Sequence, residues 1–410
     1  MKPGEARDAG RAAGDTLRQL TRLVRGVHLA VTDTVHSALD AALGPVARPV
    51  LATSDAVATG VYAATERGLD AGARVVGLLV ERNSAWVGDH LPGLHDRPGA
   101  HHMLAVGAGL RGDVFADRAP LVAPEMQVRR RGARVLLSRE GIAQAYEEAT
   151  PDLVVFLHGL FETEAAWGLG RGQRLPYSRR LSADLGLTPV FVRYNTGLRI
   201  SRNGRSLAAL LDDLVRGWPV PVRRLVLVGH SMGGLVIHSA LATAAPEDAW
   251  VQHVSDTITL GTPHHGAPAA RGVHRAAQGL SERRRGEWLS EVLQLRSVGI
   301  RDLAHGNIAD ADWDGHDPED LTDRRTHPPV PDGIRHHAVV AIVGPRLPEP
   351  LRQLVGDLLV PVDSARHAST EAVTTRFADD RIAVVSGLTH LGLLNDDVTY
   401  GHIRRWLTPD

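Results

Sequence analysis

Ten residues constrain the fold more than any others: Leu225-Val226-Leu227-Val228-Gly229-His230-Ser231-Met232-Gly233-Gly234. Four apolar residues without polar alternation read as a strand covered on both faces, the habit of a parallel sheet. A helical pattern from Gly234 to Ala242 follows at once. A strand that meets a helix through Gly-x-Ser-x-Gly makes a sharp, strained turn, and the turn lifts the serine hydroxyl above the sheet. The glycines leave room for that turn, and the helix N-terminus favours negative charge beside it. Ser231 is therefore a candidate nucleophile. The plainer alternative is a Gly-Ser-Gly turn that only joins strand to helix.

The surrounding chain repeats the strand-helix alternation. Short apolar runs occur at Val135-Leu136-Leu137, Leu153 to Leu157, Val190 to Tyr194, Ile258-Thr259-Leu260, Val339 to Val343 and Ile382 to Val385. Helical patterns lie between them at Leu207 to Val215 and close the chain at Val398 to Leu407. Strands alternating with helices predict a mostly parallel α/β sheet flanked by helices. Residues 125–410 form the expected catalytic domain.

The first 90 residues read differently. Leu17, Leu20, Val24, Val27, Val31, Val35 and Leu39 recur at helical steps opposite Arg18, Arg22 and Arg25, which makes a basic amphipathic helix. Gly44-Pro45 and Pro49 end it, and a second helix to about Val80 completes a helical hairpin extension. Residues 91–124, rich in proline and glycine, are expected to be a linker of little regular structure.

Composition excludes several functions. The formal net charge is −1, so no global field favours nucleic acid. Cysteine is absent, which rules out disulfides, thiolate metal sites and a cysteine nucleophile. No stretch has the length and apolarity of a transmembrane span, and the start lacks the apolar run of a signal peptide. A cytoplasmic location follows as an expectation, with membrane association through the first helix left open.

A second chemical element ends the strand at Leu153 to Leu157, where His158-Gly159-Leu160 follows. A loop at that place supplies one oxyanion donor, and the residue after the nucleophile supplies the other. Leu160 and Met232 N–H are the expected pair, with Phe161 and Trp167 nearby as candidate pocket residues.

With these motifs the chain resembles the α/β-hydrolase lipases and esterases, particularly bacterial lipase-like proteins and those similar to GPI inositol-deacylases. The resemblance covers roughly residues 125 to 407 and adds Leu260-Gly261-Thr262-Pro263-His264-His265-Gly266 and Gly356-Asp357-Leu358-Leu359-Val360-Pro361. It implies an α/β-hydrolase fold, no cofactor, and a triad acid and base in that order after the serine. Asp357 matches the family's Gly-Asp-Gly-x-Val-Pro, although Leu358 stands where a glycine is usual, which leaves Asp363 as an alternative. His390, in Gly387-Leu388-Thr389-His390, matches the base. His264 and His265 come too early for it, His367 follows the acid too closely, and His402 lies within the last helix.

Between about 268 and 332 sits an insertion where these hydrolases carry caps. Trp288, Leu289, Val292, Leu293 and Leu295 recur there at helical spacing and either cover an acyl pocket or fasten the insertion to the body. His316, Asp317, Glu319, Asp320, Asp323 and His327 lack a recognised metal-ligand spacing, so no metal is expected. The expected activity is hydrolysis of apolar or lipid esters through an acyl-enzyme. Thioester cleavage or acyl transfer by the same triad stays open, as does a lipid-surface or scaffold protein without turnover. A lipid-surface role for residues 1–90 requires that the full chain float with anionic liposomes and that a chain lacking them float less. Equal flotation removes that role.

Overall fold

Strands β3 (Asp152–Leu157) and β5 (Arg224–His230) are buried along nearly their whole length. Such strands must have both faces covered. In the computed structural model they are neighbours at the centre of one eight-stranded sheet. The structure describes residues 100–118, 123–170, 172, 174–245, 247–266, 297–316, 324–326, 328–329, 331–343, 357, 360, 362–366 and 377–408. The helical hairpin expected over residues 1–90 lies outside them.

The other strands are β1 (Gln127–Arg130), β2 (Ala133–Arg134), β4 (Thr188–Arg193), β6 (Val254–Leu260), β7 (Arg335–Ile342) and β8 (Ile382–Ser386). Their order is β2-β1-β4-β3-β5-β6-β7-β8. From β4 to β8 all pairs are parallel, while β1 runs antiparallel to β4 and forms a hairpin with β2. The chain starts the parallel part at β3, adds β4 on one side, then crosses back to place β5 on the other. That reversal leaves a crevice beyond the carboxyl ends of β3 and β5, where open α/β sheets bind their ligands. This is the α/β-hydrolase architecture expected from the sequence.

Period-two alternation divides the core into two layers. Leu153, Val155, Leu157, Leu225 and Leu227 join one buried cluster, and Val154, Phe156, Val226 and Val228 join the other. The first is closed by α4 (Ile200–Gly217) and α5 (Met232–Thr243), and the second by α3 (Tyr177–Leu185) and α8 (Asp397–Leu407). Helix α4 lies so close to α5 that a Cβ on Gly204 would stand 2.2 Å from Ser239 Oγ. The remaining described helices are α1 (Ala100–Arg118), α2 (Arg139–Ala145), α6 (Val298–His305) and α7 (Val362–Arg366). Among the described residues no helix is long and apolar enough to cross a membrane.

Two expectations need correction. Val135-Leu136-Leu137 is not a strand: β2 ends at Arg134, and Leu136 is exposed. The stretch expected to be an irregular linker contains α1, kinked at Arg111. Gly107, Gly109 and Gly112 weaken its helix propensity and its apolar residues do not gather on one side, so the usual signals are missing. By internal contacts the chain divides into two compact units, Met1–Pro124 with Gly272–Leu295, and Glu125–Arg271 with Arg296–Asp410. Helix α1 belongs to the first and the sheet to the second.

The described part of the insertion is fastened to the sheet-bearing unit. Arg199 and Asp302 pair at 2.6 Å, Asp302 also accepts from Ile200 N, and Trp313 Nε1 donates to Ser201 Oγ. Arg199 stacks over the Trp313 ring, 4.2 Å from its centroid. These contacts join α6 and the turn after it to the start of α4.

At the sheet end away from the crevice, fully buried Asp256 on β6 gathers Arg224 of β5 at 2.8 Å and Arg335 and His337 of β7 at 2.8 and 3.0 Å. Ser255 Oγ donates to it as well. Burial alone would raise the Asp256 pKa, but these donors outweigh it and hold the carboxyl well below the usual carboxylate range. A depressed pKa contributes stability above the unfolded-state value and loses it on acidification. Asp256→Asn removes the anion that Arg224 and Arg335 share and is expected to cost about 1.5–3 kcal/mol in denaturant unfolding at pH 7, the range for hydrogen bonds to a charged group. That cost should shrink as pH falls through the acid range; a cost constant with pH would contradict the assignment.

Candidate active site

Ser231 is the single residue between β5 and α5, with φ 52° and ψ −122°. A left-handed φ is unfavourable for a residue with a Cβ, at roughly 1–3 kcal/mol, and persists only where the surroundings impose it. Here Ser231 N donates to Leu260 O at 2.9 Å, and Ser231 O accepts from Thr262 Oγ1 at 2.9 Å and Gly234 N at 3.1 Å. The flanking glycines are set by space. A Cβ on Gly229 would lie 2.5 Å from Gly234 N, and one on Gly233 would lie 2.6 Å from Leu157 O.

The end of β3 passes against this turn. A Cβ on Gly159 would stand 3.0 Å from Ser231 Cβ. Residues 159–162 form a turn closed by Glu162 N donating to Gly159 O at 3.3 Å, with Phe161 at φ 65° in the place where a type II turn normally takes glycine. Leu160 is the second residue of that turn, and Met232 opens α5, where first-turn N–H groups have no intrahelical acceptor. Below the turn, His158 accepts from Tyr194 N and donates to Gly159 O. Burial lowers its pKa and keeps it neutral, which fits a structural role. Arg193 clasps Glu164 with two bonds of 2.6 and 2.5 Å and anchors the segment after the turn to β4.

His390 follows β8, and its Nδ1 donates to Asp357 Oδ2 over 2.6 Å. Asp357 O accepts from His390 N at 3.2 Å, and Asp357 Oδ1 accepts from Val360 N at 2.8 Å, so the acid grips both the ring and the backbone of the histidine. This bond fixes the tautomer and leaves Nε2 as the accepting nitrogen. Both side chains are buried. Burial opposes the imidazolium of His390, yet the charge and hydrogen bond of Asp357, with the charge of Glu162 behind them, raise its pKa above the ordinary histidine value. His390 also stands beside the Ser231 turn: its ring centroid is 4.7 Å from that of His230, and His230 Nε2 meets His390 O at 3.2 Å.

The structure thus brings Ser231, Asp357, His390, Leu160 and Met232 to one end of the sheet. It gives Asp357 the bond to His390, while Asp363 lies in α7 and its side chain is outside the described residues. Leu358, His367 and Trp288 are also outside them. Trp167 is a core residue, buried against Phe156 with ring centroids 4.8 Å apart. Phe161 is half-buried at the turn. His264 is buried against His238, its N–H donating to Ser364 O, and His265 N donates to Ser364 Oγ, which ties that segment to α7. His402 is on α8 beside Trp406. Among the described residues no group of side chains could hold a metal ion.

Two residues of this site carry no sequence signal read above. Glu162 Oε2 accepts from Gly159 N at 2.7 Å and faces His230 Nδ1 at 3.2 Å. His230 sits inside the Gly-x-Ser-x-Gly motif at the position that the motif leaves free.

A family model described as a PGAP1-like alpha/beta domain matches residues 207–327, which span the Ser231 turn and the Gly-Thr-Pro-His segment. Among solved structures, a Bacillus licheniformis lipase in mature form is 19% identical over 63% of this chain and 92% of that one, at a TM-score of 0.40. Staphylococcus hyicus lipase is 14% identical over 63% and 95%, at a TM-score of 0.38. A lipase-esterase related protein from Clostridium acetobutylicum is 13% identical over 63% and 93%, at a TM-score of 0.34. No curated protein sequence matches the chain. The strand order and the site geometry stand without these distant likenesses.

Gly261 offers a direct test of the acid-histidine pair. It has φ 58°, and a Cβ there would lie 2.9 Å from Asp357 Oδ2 and 3.1 Å from His390 Nδ1. Gly261→Ala is expected to cost about 1–2 kcal/mol in backbone strain and to slow reaction of Ser231 with a fluorophosphonate, read by intact mass. Unchanged labelling would show that the pair does not serve Ser231.

Proposed function

We propose that this chain is a serine hydrolase that cleaves carboxylic esters of apolar acyl character through an acyl-enzyme. The observation that carries the reading is the buried 2.6 Å bond between His390 Nδ1 and Asp357 Oδ2, held against the strained turn that presents Ser231. A nucleophile, a base and a group that orients the base are the parts such chemistry needs. A scaffold without turnover has no use for them.

In this reading Ser231 Oγ attacks the ester carbonyl while His390 Nε2 takes its proton. The negative charge that develops on the carbonyl oxygen rests on Leu160 and Met232 N–H, donors fixed in place before the reaction begins. Collapse of the tetrahedral state expels the alcohol, which receives the proton from His390. Water then enters, gives a proton to His390 and releases the acid by the same steps in reverse. Asp357 orients the ring and stabilises the imidazolium that forms twice in the cycle. Half-buried Phe161, in the turn beside Ser231, is the apolar side chain proposed to meet the acyl group. Lipid esters fit that contact, and a peripheral contact of the N-terminal helix with a lipid surface would suit them. No cofactor enters any step.

A series of p-nitrophenyl esters of increasing acyl length, with a thioester beside them, tests the proposal. The parent is expected to turn over the esters, and Ser231→Ala to lose about four to six orders of magnitude in kcat. Equal rates from both would end the reading.

The pH profile follows from His390, which acts as base only when neutral. Its raised pKa means that it gives up its proton at higher pH than usual, so kcat/KM should climb through a limb centred above about 6.5. Asp357→Asn should move that limb down and cost roughly 10⁴-fold in kcat. A limb centred below the ordinary histidine value would contradict the assignment of His390.

A further inference from the structure

Glu162 stands outside the proposed chemistry, yet it touches the Leu160 turn and the residue before Ser231 and, through His230, reaches the backbone of His390. Its backbone N–H closes the turn on Gly159 O, and its Oε2 returns to accept from Gly159 N at 2.7 Å. The same oxygen faces His230 Nδ1 at 3.2 Å, and His230 Nε2 faces His390 O at 3.2 Å. One carboxylate thus links the turn bearing Leu160 N–H, the residue before Ser231, and the backbone of His390.

His230 bridges two loops. Its buried ring lies between a carboxylate oxygen of Glu162 at Nδ1 and the carbonyl oxygen of His390 at Nε2, so one side chain joins the residue before Ser231 to the loop of His390.

We infer that Glu162 and His230 form a second carboxylate-histidine pair, and that Glu162 is a positioning residue that holds the oxyanion turn and the base loop in register with Ser231. The inference rests on the reading of Ser231 and His390 given above. The pair lies beside Asp357–His390, with the two imidazole rings 4.7 Å apart. The titratable groups facing it are His390 and, through it, Asp357, together with Tyr194 at the end of β4 and His158 at the end of β3, kept neutral by burial. The negative charge of Glu162 also reaches His390 and strengthens its hold on a proton.

Glu162→Gln keeps an oxygen acceptor for Gly159 N but removes the charge, and Glu162→Ala removes both. Ester hydrolysis by both variants and the parent is followed across pH, with thermal melts to confirm folding. Glu162→Gln is expected to lower kcat by about 10- to 100-fold, the range for one hydrogen bond to a charged group. Its acid limb should move to lower pH, because His390 loses a neighbouring anion. Glu162→Ala should lose more, with KM changing less than kcat in both.

A second readout needs no turnover. In protein labelled with ¹⁵N-histidine on the Ser231→Ala background, the ring signals that disappear with His230→Gln identify His230, and they should shift in Glu162→Gln. Identical ring signals with and without Glu162→Gln, or an unmoved acid limb with unchanged kcat, overturn the inference. Failure of the hydrolase reading looks different: turnover would then be indifferent to Ser231→Ala, whatever the ring signals show.

Discussion

The site depends on how tightly β3, β5 and α5 pass one another at Ser231. Gly159, Gly229 and Gly233 each lie where a single added carbon would meet backbone or the serine itself within about 3 Å. That crowding forces the left-handed backbone at Ser231, and the bonds from Thr262 and to Leu260 keep the turn from relaxing. In the neighbouring turn Phe161 also takes a left-handed φ. Strain of this kind is a cost to folding and a gain in placement, because groups held this way need not reorganise when charge develops.

The two ends of the sheet divide the work. One end holds strained turns and paired imidazoles, and the other holds Asp256 with two arginines, a histidine and a serine. Strong electrostatics at the far end secure β5, β6 and β7 without crowding the crevice. Strand β6 takes part at both ends, through Asp256 at one and Leu260 and Gly261 at the other. Its position is therefore fixed twice.

The local parts were legible in the sequence. A buried strand, a Gly-x-Ser-x-Gly turn and a helix are contiguous, so residues 225–242 carried their own structure. Asp357 and His390 are 33 residues apart and meet through the tertiary fold, so only order and family resemblance pointed to them. Glu162 and His230 were missed because their link crosses 68 residues and depends on which way two side chains turn. Trp167 was ambiguous for a related reason: nothing in its neighbourhood tells which side of the sheet a loop aromatic will fill, and it fills the core. Strand β1, short and polar, gives no apolar run, and α1 gives no apolar stripe.

The strand order also sets how much of the chain the site needs. The contact between His230 and His390 spans 160 residues, and β6, β7 and β8 lie between them in the sequence. Contacts of such long sequence separation close large loops and come at a high entropic cost. The turn at Ser231 is built from neighbouring central strands, whereas His390 follows the last strand of the sheet. A chain lacking β8 would hold the Ser231 turn without the histidine proposed to activate it.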